Sequence, residues 1–290
     1  MFGKIRVFLE MIKIEHTLFA LPFAFMGMLL GSVVINGHLP SWAQAGWILL
    51  AMIGARSAAM GMNRLIDRYI DAKNPRTEKR AIPAGLLKTS EVAIFVVVFL
   101  GLFLWATWEL SRFALTLFPI ALALILLYSY TKRFTWLCHI VLGATIALAP
   151  LGGWAAVTDS FSWSSLVFYI AIAFWTAGFD VIYACDDIDF DRKEGIYSIP
   201  SRFGLEKALK IAQGFHIVTA IGLISLVFIT PLGWWYAAGV VIACSILFYQ
   251  HRIVKPSDLS RVQTAFFTMN SWLSSIVFVF TLIDLVVKFW

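Results

Sequence analysis

Residues 163–185 read WSSLVFYIAIAFWTAGFDVIYAC, and this run decides the fold. As a helix it is long enough to cross the hydrocarbon core of a bilayer, and Asp180 is its single charge. Directly after it the character inverts, with residues 186–193 reading DDIDFDRK. Apolar stretches of similar length recur at about 16–36, 42–64, 92–108, 113–130, 138–157, 208–229, 232–249 and 265–287. The expectation is an all-α polytopic membrane protein, a nine-transmembrane-helix bundle forming one domain over residues 1–290.

Composition points the same way. A chain that is 60% apolar and 14% charged, with mean hydropathy +0.83, holds more hydrophobic side chain than a soluble core of 290 residues can hide. The net charge of +6 needs no nucleic acid, because 20 of the 23 Lys and Arg fall in the N-terminus and in alternate connections. Those connections are Arg64 to Lys88, Lys132 to Arg133, Arg192 to Lys210 and Arg252 to Arg261, whereas the others together carry only Arg112. This asymmetry places the N-terminus and the basic connections in the cytoplasm and the C-terminus outside. Residues 1–15 alternate Phe2, Ile5, Phe8, Leu9 and Ile12 with Lys4, Arg6, Glu10 and Lys13, as expected of an amphipathic interfacial helix and not of a cleaved signal. Cys138, Cys185 and Cys244, like the five histidines, lack metal-ligand spacing, and no feature calls for an obligate protein partner.

Two cytoplasmic connections, 63–90 and 185–207, carry the chemistry. Asp67 and Asp71 are four apart, as are Asp187 and Asp191, which puts each pair on one helix face. Both pairs sit at the same side of the membrane, 120 residues apart, so they can face one another. Four converging carboxylates repel unless a cation joins them, and a hard divalent ion such as Mg²⁺ suits oxygen ligands. A basic loop opposite then implies a diphosphate; the plainer alternative is a pair of solvated helix ends. Arg56 lies deep in the second segment on the face of Asn63 and Asp67, where it is either a clamp for a carboxylate or phosphate or an ion-pair partner of Asp180. Asp180 and Tyr183 extend the second acidic face inward and could orient an acceptor. Tyr128, Lys132 and Arg133 end the fourth segment, either to hold phosphate oxygens or as a topology signal. Asn270 reads as an interhelical hydrogen bond.

In these residues the chain resembles the UbiA superfamily of intramembrane aromatic prenyltransferases. Asn63, Asp67 and Asp71 match its Asn-x-x-x-Asp-x-x-x-Asp motif, followed by Thr77, Arg80, Pro83 and Gly85. Asp180, Tyr183, Asp187 and Asp191 match the second motif, running on to Lys193, Gly195 and Ser198, and Tyr128, Lys132, Arg133 and Thr135 match the segment between. The resemblance implies that Asp67, Asp71, Asp187 and Asp191, with Asn63, hold Mg²⁺ and the diphosphate of a polyprenyl donor. It further implies that Arg80, Lys132, Arg133 and Tyr128 assist there, that Arg56 grips the carboxylate of a hydroxyaromatic acid, and that Asp180 and Tyr183 orient that acceptor. Many members acting on 4-hydroxybenzoate have Asn-Asp where this chain has Asn63-Arg64; the resemblance implies 4-hydroxybenzoate as the expected acceptor in quinone biosynthesis, with 1,4-dihydroxy-6-naphthoate as the alternative. A transporter of anionic lipids is the rival class, and it would need polar residues at intervals across the membrane.

Overall fold

The computed structural model describes residues 2–12 and 17–289, and its regular elements are all helical. In chain order they are α1 (Phe2–Met11), α2 (Thr17–Gly31), α3 (Trp42–Lys73), α4 (Thr89–Leu110), α5 (Arg112–Thr131), α6 (Cys138–Thr158), α7 (Trp163–Ala184), α8 (Ile188–Glu194), α9 (Ile199–Phe203), α10 (Leu205–Ile229), α11 (Trp234–Ile253) and α12 (Asn270–Phe289). Wider π turns extend α2 through Ser32–Asn36 and lead into α12 over Thr264–Met269. Among the described residues seven helices are long and apolar enough to cross a membrane: α3, α4, α5, α6, α7 with its extension to Glu194, α10, and α12 with its π turn. The other two expected segments are also helical, as α2 with its π turn and as α11, but they do not join that set, so nine crossings do not follow from length and hydropathy alone. The protein is a multi-pass membrane protein.

Helix starts follow local chemistry. Ser41 accepts from the Gln44 amide at 3.2 Å while its own amide donates to Gln44 Oε1 at 2.9 Å, a reciprocal cap that starts α3. Ser162 and Ser165 do the same for α7. The long helices pack in chain order around a ring, α12 closes on α2, and α2 also lies against α6 and divides the interior. Two close crossings depend on glycine: a Cβ on Gly27 would stand 2.0 Å from the Pro150 carbonyl oxygen, and one on Gly143 would stand 2.1 Å from that of Ala173. The core between them holds Phe23, Trp175 and Phe168 in edge-to-face contact. Outside, Ile94, Val97, Val98, Trp105 and Trp108 stand exposed along α4, a surface that water would penalise and lipid solvates. Trp42, Trp163 and Trp234 open α3, α7 and α11 almost fully exposed, at the level where an aromatic belt belongs.

The first helix departs from the interfacial expectation in one respect, because it docks on protein. Phe8 is buried against the rings of Phe95 and Phe99 on α4, and Lys4 pairs with Glu91. Residues 13–15 of the expected interfacial stretch, and the first residue of the 16–36 segment, lie outside the described residues.

Candidate active site

Helix α3 does not stop at the expected boundary near residue 64 but continues to Lys73, so Asn63, Asp67 and Asp71 lie on its last turns. Asp67 is buried, forms an ion pair with Lys132 Nζ at 2.6 Å, and accepts from Arg133 Nη2 at 3.0 Å and Asn63 Nδ2 at 2.8 Å. Arg133 also donates to the Ile66 and Ser129 carbonyls at 2.9 and 2.7 Å, which fixes the guanidinium against α3. One turn on, Asp71 takes Arg80 Nη1 at 2.7 Å on Oδ1, while its Oδ2 is buried with no hydrogen-bond partner.

The second acidic pair follows a break in α7. A short 3₁₀ turn, Cys185–Asp187, separates α7 from α8, so Asp187 stands at the junction and Asp191 on α8. Arg76 forks onto Asp187, with Nε 3.0 Å from Oδ1 and Nη2 on Oδ2, and its Nη1 donates to the Tyr183 hydroxyl at 2.6 Å. Burial alone would pull the Arg76 guanidinium down, but the Asp187 hydrogen bonds and the surrounding negative charge outweigh it and hold its pKa above the ordinary arginine value. Asn74 adds a donor to Asp187 at 3.3 Å, and Lys73 pairs with Glu194 at 2.6 Å. The chain leaving the first acidic pair is therefore bonded to the second. Asp191 accepts from Ser198 Oγ at 2.8 Å and lies within electrostatic reach of Asp187 and Lys132.

Below this polar layer an apolar cavity of about 380 Å³ runs between α3, α4, α5 and α6. Ile48, Met52, Phe103, Leu117 and Ile146 line it, and Arg56 and Tyr128 supply the polar groups nearest the acidic layer. Its wall on α5 extends from Ala114 to Tyr128, about 21 Å at the helical rise. The Nε of Arg56 is buried with no hydrogen-bond partner. Tyr128 stands within electrostatic reach of Arg56, Arg64, Asp67 and Asp180.

A family model described as the UbiA prenyltransferase family matches residues 20–273. The chain belongs to the UbiA prenyltransferase family. It is 28% identical to the 4-hydroxybenzoate octaprenyltransferase of Vibrio campbellii over 89% of each chain. It is 33% identical to the mitochondrial 4-hydroxybenzoate polyprenyltransferase of Arabidopsis thaliana over 83% of this chain and 59% of that one. Among solved structures, the apo UbiA homolog from Aeropyrum pernix K1 superposes with a TM-score of 0.84 at 30% identity, covering 93% of this chain and 98% of that one. A UbiA homolog from Archaeoglobus fulgidus bound to DMAPP and Mg²⁺ shares the fold, with a TM-score of 0.69 at 19% identity over 93% and 98% of the two chains.

Within this UbiA chain the structure gathers Asn63, Asp67, Lys132 and Arg133 on one side of the polar layer, and Tyr183 and Asp187 on the other. Among the described residues, no three Asp, Glu, His or Cys side chains stand close enough to hold a metal as they are, and the four acids are paired with cations or, for Asp191, with the Ser198 hydroxyl. The ion pair of Arg56 with Asp180 is not formed. Asp180 is bonded to His139 Nδ1 at 2.7 Å instead, because α6 brings that imidazole between Asp180 and α9. Asn270 does not bond across helices, since its Nδ2 donates to the Phe266 carbonyl one turn back at 2.7 Å. Sequence reasoning missed Arg76, His139 and the buried Arg64, whose Nη1 donates to Asn63 Oδ1 at 3.1 Å. Arg76 had one signal, a base in the loop between two acidic pairs; His139 had none.

Proposed function

We propose that this enzyme transfers a polyprenyl group from a polyprenyl diphosphate to a hydroxyaromatic carboxylic acid of the 4-hydroxybenzoate type. The observation that carries the reading is a layer of paired carboxylates and cations, Asp67 with Lys132 and Arg133 and Asp187 with Arg76, set over an apolar cavity that contains Arg56. The names of the relatives, and the fold shared with a homolog that binds DMAPP and Mg²⁺, support the same reading.

The residues present fit a magnesium site by their chemistry. Asp67, Asp71, Asp187 and Asp191 offer hard anionic oxygens, and the buried Asp71 Oδ2 is an acceptor that nothing in the protein satisfies. When bound, Mg²⁺ supplies Lewis-acid stabilisation of the leaving diphosphate. Lys132, Arg133, Arg80 and Arg76 exchange their carboxylate partners for phosphate oxygens and oppose the negative charge that grows there as the allylic C–O bond breaks. Tyr128 lies between this layer and the cavity, within reach of the same phosphates. Arg56 takes the acceptor carboxylate, about 10 Å further along α3 from Asn63. Asp180 and Tyr183 orient the phenol so that a ring carbon beside the hydroxyl attacks the allylic carbon, and the displaced ring proton leaves to water or a nearby base. The apolar walls keep water from the allylic cation and give the tail a place to lie. The basic connections face the cytoplasm in this reading, and the C-terminus lies outside.

The test uses purified protein in detergent with one prenyl diphosphate, Mg²⁺, and a panel including 4-hydroxybenzoate and 1,4-dihydroxy-6-naphthoate, with products identified by mass. A prenylated carboxylate is expected. Formation of no prenylated product with any aromatic acceptor overturns the reading and leaves transport as the rival.

A further inference from the structure

We propose that His139 is a positioning residue that sets the Asp191 carboxylate through the backbone of α9; the inference rests on the reading of Asp191 as one of the magnesium-holding acids. His139 is buried in the first turn of α6, and both its ring nitrogens are engaged. The Ile199 amide donates to Nε2 at 3.2 Å, so Nε2 carries a lone pair. The ring proton is therefore on Nδ1, which donates to Asp180 Oδ2 at 2.7 Å. A doubly protonated ring would set N–H against N–H at Ile199.

Ile199 opens α9 immediately after Ser198, whose hydroxyl donates to Asp191 Oδ2 at 2.8 Å. On the other side of Ser198, the Tyr197 amide donates to the Lys132 carbonyl at 2.8 Å. Ser198 thus hangs between two anchors, one from α6 and one from the end of α5, which set the position of its backbone, while the Ser201 amide donates to its Oγ at 3.2 Å. Lys132 also pairs with Asp67, so the single corner between α5 and α6 sets one acid from each acidic pair. The requirement at position 139 is one donor and one acceptor held rigidly, not a charge. Glutamine offers the same two groups, whereas leucine offers neither and leaves the Ile199 amide and the Asp180 carboxylate without this partner.

Hydrogen exchange in the metal-free protein tests the anchor, read on peptides that resolve the Ile199 amide. Wild type and His139→Gln are expected to protect it, and His139→Leu to release it by about tenfold, the loss of roughly one hydrogen bond. In the turnover assay, His139→Leu should raise the Mg²⁺ concentration for half-maximal rate about tenfold, in the range of lost support behind metal ligands. His139→Gln should restore the wild-type value. Ser198→Ala should reproduce the Mg²⁺ shift; because Ser198 also caps α9, this variant is read on turnover alone. Unchanged exchange in His139→Leu, or a Gln variant no better than Leu, overturns the proposal. If His139→Leu does not fold, wild-type protection decides: an Ile199 amide that exchanges as fast as an open loop overturns it. The exchange measurement needs no turnover, so it stands or falls separately from the assigned reaction.

Discussion

Replacing Asp67 by Asn changes charge while nearly keeping shape, and the surroundings of Asp67 set the size of the effect. The carboxylate is 2% exposed and receives Lys132, Arg133 and Asn63. Hydrogen bonds to charged groups contribute roughly 1.5–3 kcal/mol each. Lys132 and Arg133, however, keep about a third of their side-chain surface in solvent and can turn to water. An amide oxygen at position 67 also retains one acceptor, so the net loss of stability is about 2 kcal/mol, well short of a sealed pair. Catalysis loses more, because an anionic donor to the metal disappears and Lys132 and Arg133 lose the partner that aims them. Several kcal/mol of charge stabilisation corresponds to a rate loss on the order of 1,000-fold. Product formation measured by mass against Mg²⁺ concentration, with thermal unfolding in the same detergent, separates the two effects. A folded Asp67→Asn protein whose turnover stays within about tenfold of wild type would refute the reasoning.

Chelation of divalent ions should stop transfer and added Mg²⁺ should restore it, read by product mass; full turnover in chelator would remove the metal from the mechanism. Arg56→Ala should raise the KM for a carboxylated acceptor by about 10- to 100-fold, the loss of a charged hydrogen bond, and leave the donor KM nearly alone. Equal shifts in both constants would dismiss Arg56 as the acceptor clamp. At the far end of the bundle, Asp284 accepts from the amides of Gly233, Trp235 and Tyr236, at 2.8, 3.2 and 3.4 Å, and so caps α11. Asp284→Ala should lower thermal stability by about 1–3 kcal/mol without changing either KM. Gly27→Ala forces a methyl onto the Pro150 carbonyl and should cost about 1–3 kcal/mol, whereas Gly46→Ala, inside α3 with nothing within 4 Å of the added carbon, should stabilise by about 0.5–1 kcal/mol in the same melting assay.

Seven of the nine expected segments were legible as candidate spans because a helix that crosses lipid must be long and apolar, and that constraint acts residue by residue along the chain. The acidic pairs were legible because four-residue spacing is local. Their partners were not. Arg76 meets Asp187 across 111 positions and His139 meets Asp180 across 41, and no spacing rule reaches that far. The π turns at Ser32–Asn36 and Thr264–Met269 escaped for another reason, since they differ from α-helix in hydrogen-bond register and not in hydrophobic pattern. Arg56 and Asn63 share a face because α3 runs unbroken from Trp42 to Lys73, but the pairing of Asp180 with His139 depended on where α6 lies.

The contact of α2 with both α6 and α12 has a consequence for how the chain is assembled. Gly27 meets its partner Pro150 only after more than a hundred further residues have been synthesised, and α2 meets α12 only when the last span has emerged. Until then α2 has α3 as its long neighbour, and its small-residue face is without its partner. Growth of the bundle is therefore not the addition of one finished layer to another. Helix α2 is made early yet is among the last to acquire all its neighbours, and a chain that ends before α6 leaves Gly27 without its partner.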